Sequence, residues 1–98
     1  MTVYERLNKL KRGQSVFVDL HETLFDRADY SVNIPLVNAL KAAQGRGVVV
    51  VLWTGGNWSE TVYGVELMRR YELVFDDVIM NVVKGDLIID NLAVGFLQ

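Results

Sequence analysis

Four polar side chains in this sequence have the residue types and the spacing to carry out phosphoryl chemistry, and they are Asp19, Thr54, Lys84 and Asp90. The two carboxylates can supply the hard oxygen ligands that Mg2+ prefers. The lysine can neutralise phosphoryl oxygens, and the threonine hydroxyl can donate a hydrogen bond to them. The carboxylate of Asp19 could then attack the phosphorus and form an aspartyl-phosphate. The set predicts a site for a phosphoryl group and a divalent metal.

Apolar segments precede most of these residues, and their composition predicts buried strands. Residues 16–20 and 48–53 are short and almost uniformly apolar, as is typical of parallel strands covered on both faces. Further strands are predicted at residues 73–75 and 78–80, at 87–89 and, as an edge strand, at 93–97. Apolar periodicity and helix-ending residues predict helices at residues 2–12, 35–45 and 57–71. The third helix is expected to bury Val62, Val65 and Met68.

The alternation of strands and helices predicts a single domain over residues 1–98. Its expected architecture is a three-layer α/β/α Rossmann-like domain with a mainly parallel sheet. In such sheets, ligands bind beyond the carboxyl ends of the strands. We therefore expect the four polar residues to converge at one edge of the sheet. The backbone amides of Gly55 and Gly56 are expected to bind phosphoryl oxygens beside Thr54.

The composition limits the classes of function that the chain could serve. The formal net charge of the 98 residues is -2, which gives no electrostatic case for binding nucleic acid or a membrane surface. The absence of cysteine excludes disulfides and thiolate metal sites. The longest apolar run is far shorter than the roughly 20 residues of a membrane span, and the polar first fifteen residues do not resemble a secretion signal. We therefore expect a cytoplasmic protein.

The order and spacing of these residues resemble the four motifs of the haloacid dehalogenase (HAD) superfamily of phosphohydrolases. The residues that carry the resemblance span nearly the whole chain, and they are Asp19-Leu20-His21-Glu22-Thr23-Leu24, Thr54, Lys84 and Asp90-Asn91. The first motif of the family reads Asp-x-Asp-x-Thr, so this sequence departs from it at His21. The resemblance implies an HAD-like fold and phosphatase activity, with Mg2+ as the cofactor.

The resemblance also assigns roles to individual residues. It implies that Asp19 is the nucleophile and a metal ligand, with Asp90 as a second metal ligand. Thr54 and Lys84 correspond to the phosphoryl-binding residues. The family uses the backbone carbonyl two residues after the nucleophile as a further metal ligand, and here that carbonyl belongs to His21. Additional candidates near the last motif are Asp86 and Asn91.

The side chain of His21 stands where phosphatases of this family carry their general acid and base. Its unperturbed pKa of about 6.5 suits proton transfer near neutral pH, so His21 could itself serve as the acid and base. General acid–base catalysis contributes typically about 10² to 10⁴-fold, so a histidine unable to supply it would leave a slow enzyme. A third interpretation is that the substitution traps the phosphorylated or substrate-bound state.

Two other classes of protein deserve comparison with a phosphatase. Phospho-receiver modules also combine an aspartate, a threonine and a lysine on successive parallel strands. Their acidic metal-binding pair precedes the phosphoacceptor, however, whereas Asp90 follows the lysine here, and this order favours the hydrolase. The other alternative is a degenerate HAD-like domain that binds a phosphorylated ligand or a protein partner without turnover.

Family members usually select substrates with an inserted cap domain, and neither interval where caps occur has room for one here. We therefore expect an open site that accepts a phosphorylated substrate, including a large one such as a phosphorylated polymer end or protein. Closure of the site by a second copy in a homo-oligomer is the alternative.

Other polar and aromatic residues have simpler structural interpretations. Thr23 is expected to brace its loop through hydrogen bonds, and Trp58 is expected either to stack on a substrate or to pack against the core. Four aspartates are expected in turns and loops rather than at a site, and they are Asp26, Asp29, Asp76 and Asp77.

Overall fold

The computed structural model describes residues 2–20, 23–26, 28–54, 58–79, 87–89 and 94–95. Its helices and strands, in chain order, are α1 (Val3–Lys9), β1 (Ser15–Val18), α2 (Ile34–Gly45), β2 (Val49–Trp53), α3 (Trp58–Arg70), β3 (Asp77–Ile79), β4 (Leu87–Ile89) and β5 (Val94–Gly95). No helix in the described part of the chain is long and apolar enough to cross a membrane.

The five strands form one sheet in the order β3-β2-β1-β4-β5. Strand β1 lies at its centre and pairs in parallel with β2 on one side and with β4 on the other. Strand β3 pairs in parallel with β2, and β5 runs antiparallel to β4. The prediction of an α/β fold with a mainly parallel sheet is therefore confirmed, and so is an edge strand within residues 93–97.

The core is built from the two central strands and one face of each helix. Both faces of β1 and β2 are covered, as expected for buried parallel strands, because Phe17 and Val51 on one face are each 5% exposed. The opposite face carries Val16, Val18, Val50 and Leu52, which are completely buried. Helix α2 covers them with Leu36, Val37, Leu40 and Ala43. Burial of side chains of this size stabilises a fold by about 1.5 to 3 kcal/mol each, so this layer fixes the position of β1.

Helix α1 is shorter than its periodicity predicts. It begins at a capping box in which the Thr2 side chain accepts the Glu5 N–H and the Glu5 side chain accepts the Thr2 N–H. It ends at Lys9 because Leu10 takes an extended conformation, which turns that side chain into the core at 6% exposure. The apolar spacing beyond Lys9 therefore reflects burial of an extended residue rather than a longer helix.

The buried face of α3 differs from the prediction. Met68 is buried, but Val62 is 44% exposed, so the expectation that it faces the core is wrong. The buried positions of the helix also include Thr61 and Gly64. The reason is a close approach at Gly64, where an added Cβ would overlap the side chain of Leu20. The helix is therefore oriented with Gly64, rather than Val62, packed against Leu20.

Strand β3 is shorter than the two predicted segments. Leu73 is buried, but its N–H bonds the Met68 carbonyl in the turn that follows α3 rather than a neighbouring strand. Asp76 makes the first contact with β2, because its N–H donates to the Val50 carbonyl at 2.8 Å and its carboxylate accepts the Val50 N–H at 2.7 Å. The strand therefore begins at Asp77, within the gap that the prediction left open.

Candidate functional site

Asp19 and Thr54 lie at the same edge of the sheet, at the carboxyl ends of neighbouring strands. The register pairs Val18 of β1 with Leu52 of β2. Asp19 follows β1 directly and Thr54 follows β2 directly, and neighbouring strands are about 4.8 Å apart. We call this edge, formed by the carboxyl ends of β1 and β2, the site edge. The two residues therefore share one edge of the sheet, as expected, and their role in a phosphoryl site stays a prediction.

The local contacts of the two residues restrain their backbones. The Leu20 N–H donates to Asp19 Oδ1 at 2.8 Å, which orients the carboxylate immediately after the strand. The Thr54 N–H donates to the Ile79 carbonyl of β3 at 3.0 Å, so the ladder continues one residue beyond β2. Thr54 is 1% exposed, whereas Asp19 is half-buried. Asp19 is therefore the more accessible of the two.

Strand β4 extends the site edge on the other side of β1. The register pairs Val18 with Ile89, so the carboxyl end of β4 lies beside that of β1. The remaining predicted site residues lie outside the described residues, and they are His21, Gly55, Gly56, Lys84 and Asp90, together with Asp86 and Asn91. Their roles stay predictions.

Asp76 and Asp77 lie away from the site edge. Asp77 pairs in register with Val51, the middle residue of β2, and the Asp76 carboxylate binds the N–H of Val50, one residue nearer the amino end of that strand. The Asp76 carboxylate also accepts a hydrogen bond from Gln44 Nε2 at 3.1 Å. Asp76 is thus a structural residue that joins α2 and β3 to β2, which is more specific than the solvated turn that was expected.

A hairpin formed by residues 23–26 and 28–33 is hydrogen-bonded back to the chain beside Asp19. The N–H groups of Leu24 and Phe25 both point to the Leu20 carbonyl, at 3.0 and 3.4 Å. Phe25 and Val32 then form an isolated antiparallel bridge. We call residues 23–26 and 28–33 the hairpin segment. It is held to the site edge through Leu20, the residue next to Asp19.

Two aspartates stabilise the hairpin segment, as the sequence predicted for loop-forming residues. Asp26 Oδ1 accepts the Ala28 N–H at 2.7 Å, and Asp29 Oδ1 accepts the Ser31 N–H at 2.9 Å. The backbone bond from Ser31, together with a side-chain bond from the same residue, lowers the pKa of Asp29 below its ordinary value. Asp29 therefore favours its ionised form.

Aromatic side chains join the hairpin segment to α3. Tyr30 adopts a φ of 59°, which is uncommon for a bulky residue, and its ring stacks on Phe25 with a centroid distance of 6.3 Å. On its other side it meets Tyr63 of α3 at 5.5 Å. Trp58 is 67% exposed, so the alternative that it packs in the core is wrong.

A concave pocket of about 240 Å³ lies within the hairpin segment, and its lining residues are Thr23, Phe25, Asp26, Ser31, Val32 and Asn33. We call it the hairpin pocket. Thr23 braces the segment through its backbone carbonyl, which accepts Asn33 Nδ2 at 3.3 Å. Its side-chain hydroxyl is buried and has no hydrogen-bond partner among the described residues, so the expected hydrogen-bonded brace is made by the backbone. Sequence reasoning did not find this pocket, because only the fold brings residue 23 beside residue 33.

No group of three or more metal-ligating side chains is found among the described residues. The predicted donor set nevertheless suits Mg2+ chemically, because this ion keeps several waters and uses one or two protein carboxylates. Asp19 is the one predicted side-chain ligand that the structure describes, and its half-buried carboxylate at a strand end is compatible with that role.

Comparison of the sequence with models of protein families gives no match, and comparison with curated proteins gives no significant match. Among solved structures, a conserved protein from Bacteroides thetaiotaomicron is similar to this chain, with a TM-score of 0.69 and 22% sequence identity. The alignment covers 87% of this chain and 81% of that chain. At this level of identity the likeness shows a shared fold and carries no information on activity.

Proposed function

We propose that this protein is a Mg2+-dependent phosphohydrolase of the HAD type, a capless phosphatase with a three-layer α/β/α Rossmann-like domain. The observation that supports this most directly is the pair formed by Asp19 and Thr54, which end two adjacent parallel strands at the centre of the sheet. A carboxylate and a hydroxyl so placed suit nucleophilic attack on a phosphoryl group. The sequence supplies Lys84 and Asp90 in the order that completes the set.

In the first step, an Asp19 carboxylate oxygen attacks the phosphorus of a phosphate monoester. A bond forms between that oxygen and phosphorus, the bond from phosphorus to the alcohol oxygen breaks, and the alcohol leaves with a proton. The Leu20 N–H at 2.8 Å orients the carboxylate, which lowers the entropy lost on reaching the attack geometry. Thr54, held by its backbone bond to β3, donates its hydroxyl hydrogen to a phosphoryl oxygen.

In the second step, water attacks the phosphorus of the aspartyl-phosphate. The bond between phosphorus and the Asp19 oxygen breaks, phosphate leaves, and the carboxylate is regenerated. Both steps need a proton carrier, and we assign that role to the His21 side chain because its pKa range suits transfer near pH 7.

The residues that would hold Mg2+ are Asp19, Asp90 and the backbone carbonyl of His21. When bound, the ion supplies positive charge that offsets the developing charge on the phosphoryl oxygens. Asp19 therefore has two duties, and its loss is expected to remove both.

The substrate of this reaction is a phosphorylated molecule at an open site. Neither the segment between β1 and α2 nor the segment between α3 and β4 is long enough for an inserted domain. We propose that the open edge accepts substrates of varied size, and that a second copy of the chain could cover it in a homo-oligomer. The proposed compartment is the cytoplasm.

The second candidate function is binding of a phosphorylated ligand or protein partner without efficient turnover. The observation that favours it is His21, which replaces the aspartate that performs proton transfer in phosphatases of the resembled family. The two candidates share the same phosphoryl site and differ in one proton-transfer step.

Hydrolysis of an activated aryl phosphate by the purified protein tests the proposal. We expect Mg2+-dependent release of the phenol, abolished in Asp19→Asn because an amide is a poor nucleophile. The matched control is Asp77→Asn, which removes the same charge at the amino end of β3, opposite the middle of β2, and should retain activity. Absence of metal-dependent turnover between pH 5 and 9 would reject the enzymatic function.

A His21→Asp variant separates the two candidates. A gain in rate of about 10²-fold or more, the size of a general acid–base contribution, would identify the natural chain as an impaired hydrolase. A loss of rate would show that His21 is the working acid and base. Failure of phosphate with Mg2+ to bind the protein would reject the site itself and both candidates with it.

A further inference from the structure

The hairpin pocket is placed to receive a group attached to the phosphate. It lies in the segment that follows Asp19, and its Phe25 wall is tied by a backbone hydrogen bond to the Leu20 carbonyl. The N–H groups of Leu24 and Phe25 lie 3.0 and 3.4 Å from the Leu20 carbonyl oxygen, so one wall of the pocket lies close to the residue that follows Asp19. A short ligand bound by phosphate at Asp19 would therefore reach the pocket with its other end.

The lining of the pocket has an acceptor-rich chemistry. Asp26 contributes a carboxylate, Ser31 and Thr23 contribute hydroxyls, and Phe25 and Val32 form the apolar walls. Asp26 carries the charge among the described lining residues. Asp26 Oδ1 already accepts the Ala28 N–H. The second carboxylate oxygen is therefore the one that would accept a hydrogen bond from a ligand. Such a lining suits a cationic donor with a small apolar stem.

Thr23 provides an independent sign that the pocket is built for a ligand. The residue is 9% exposed, and its hydroxyl oxygen is buried without a hydrogen-bond partner in the described part of the chain. An unsatisfied buried hydroxyl is uncommon because it loses its hydrogen bonds to water without replacement. Because this oxygen is closed to solvent in the structure, a ligand donor would supply the missing bond after the Thr23 side chain turns its hydroxyl into the pocket that it lines.

We propose that the hairpin pocket binds an alkylammonium group, and that the substrate is the phosphate monoester of a small amino alcohol. The identity of the substrate as a phosphate ester rests on the proposed function, whereas the binding of an ammonium group in the pocket does not. A carboxylate in the pocket attracts the ammonium end and repels the phosphate dianion. The substrate is thereby oriented, with its phosphate at the site edge and its ammonium group against Asp26.

Binding of ethanolamine, measured by two-dimensional amide NMR, tests the pocket without any turnover. We expect ethanolamine at concentrations on the order of millimolar to shift the amide signals of Ser31 and Asn33, and n-propanol to leave them unchanged. The shifts should weaken with added salt, because exposed charges are screened. Absence of ethanolamine-specific shifts at these residues would overturn the inference.

A pair of charge-removing variants makes the test specific. Asp26→Asn keeps an oxygen for the Ala28 N–H but loses the charge of the pocket. Asp29→Asn likewise keeps an oxygen for the Ser31 N–H, and it removes the same charge from a residue that does not line the pocket. We expect ethanolamine binding to fall about tenfold in Asp26→Asn, the effect of one charge-assisted hydrogen bond, and to persist in Asp29→Asn. Equal losses in both variants would overturn the inference.

Hydrolysis of two phosphate esters tests the proposed substrate class separately from the ammonium site. The neutral analogue of 2-aminoethyl phosphate is n-propyl phosphate, in which a methyl group replaces the ammonium. We expect kcat/KM to favour the amino ester by about tenfold, with the ratio approaching one in Asp26→Asn and retained in Asp29→Asn. Equal hydrolysis of both esters would reject the substrate class and leave the phosphatase standing. Ethanolamine binding without hydrolysis of either ester would support the ammonium site and reject the substrate class, and the aryl phosphate assay would then decide whether the phosphatase itself fails.

Discussion

Thr54, the proposed phosphoryl-binding residue, is buried at the carboxyl end of β2. The residue is 1% exposed and its backbone is tied to β3. The surrounding structure therefore restrains its position, which suits the proposed role as a hydrogen-bond donor to a phosphoryl oxygen. Preorganised donors of this kind are more effective than mobile ones, because no reorganisation is needed when charge develops.

Two substitutions of Thr54 distinguish the contribution of its hydroxyl to activity from the contribution of its branched shape. We expect Thr54→Val, which removes the hydroxyl and keeps the branched side chain, to lower kcat/KM for an aryl phosphate by roughly 10- to 100-fold, the range for a hydrogen bond to a charged group. Thr54→Ser keeps the hydroxyl and should retain most of the activity. A Thr54→Val variant that is folded and as active as the parent would contradict the assignment.

The hydrogen bonds to Asp29 predict a pH dependence of the hairpin segment. Since the pKa of Asp29 is lowered by the backbone and side-chain bonds from Ser31, the ionised carboxylate favours the folded form. This contribution is fully present above the ordinary pKa of an aspartate, about 3.9, and is lost as the pH falls through the lowered pKa.

A carboxyl-carbon NMR titration measures this directly. We expect Asp29 to titrate below its ordinary pKa, and we expect Ser31→Ala to raise that pKa part of the way, because the variant removes the side-chain bond and leaves the backbone bond. An Asp29 that titrates at its ordinary pKa in the parent protein would show that the bonds from Ser31 do not persist in solution.

At the scale of the elements, α3 is positioned by the absence of a side chain. The space that a Cβ would need at Gly64 is filled by Leu20, which is itself completely buried and precedes the hairpin segment. The helix therefore approaches the chain beside Asp19 more closely than any other residue type at position 64 would allow.

We expect Gly64→Ala to lower the free energy of unfolding by about 1 to 3 kcal/mol, as overpacking does in a filled core. The displaced Leu20 should also reduce the rate of any reaction at Asp19. Gly45→Ala is the matched control, because a Cβ at that helical glycine meets no atom within 4 Å, and it should be neutral or stabilising by about 0.5 kcal/mol. Urea unfolding compares the two, and equal effects would contradict the close-packing argument.

At the scale of the whole molecule, the central strands and the position of the site edge could be predicted from the sequence. Uninterrupted β-branched runs have few alternatives to a strand covered on both faces, and the carboxyl ends of parallel strands meet at one edge whatever the details of packing. The convergence of Asp19 and Thr54 therefore followed from pattern alone. The residues that follow β3 and β4 in the sequence remain assigned by sequence and resemblance.

Features that depend on a single close contact could not be predicted. The buried face of α3 is determined by Gly64, and a glycine contributes nothing to an apolar pattern, so Val62 was placed on the wrong side. The start of β3 depends on Asp76, whose carboxylate binds the N–H of Val50, 26 residues away in sequence. The hairpin pocket likewise depends on the pairing of Phe25 with Val32. The sequence around these two residues has no alternation of apolar and polar residues that would predict this pairing.

The two tryptophans give the site edge a built-in optical reporter. They are the only tryptophans in the sequence, with Trp53 as the last residue of β2 and Trp58 as the first residue of α3. Trp53 is half-buried and Trp58 is 67% exposed, so their fluorescence should differ in wavelength and in access to a soluble quencher. A Trp58→Phe variant would isolate the emission of Trp53, one residue before Thr54. Ligand binding at the site edge could then be followed by intrinsic tryptophan fluorescence, without an added label.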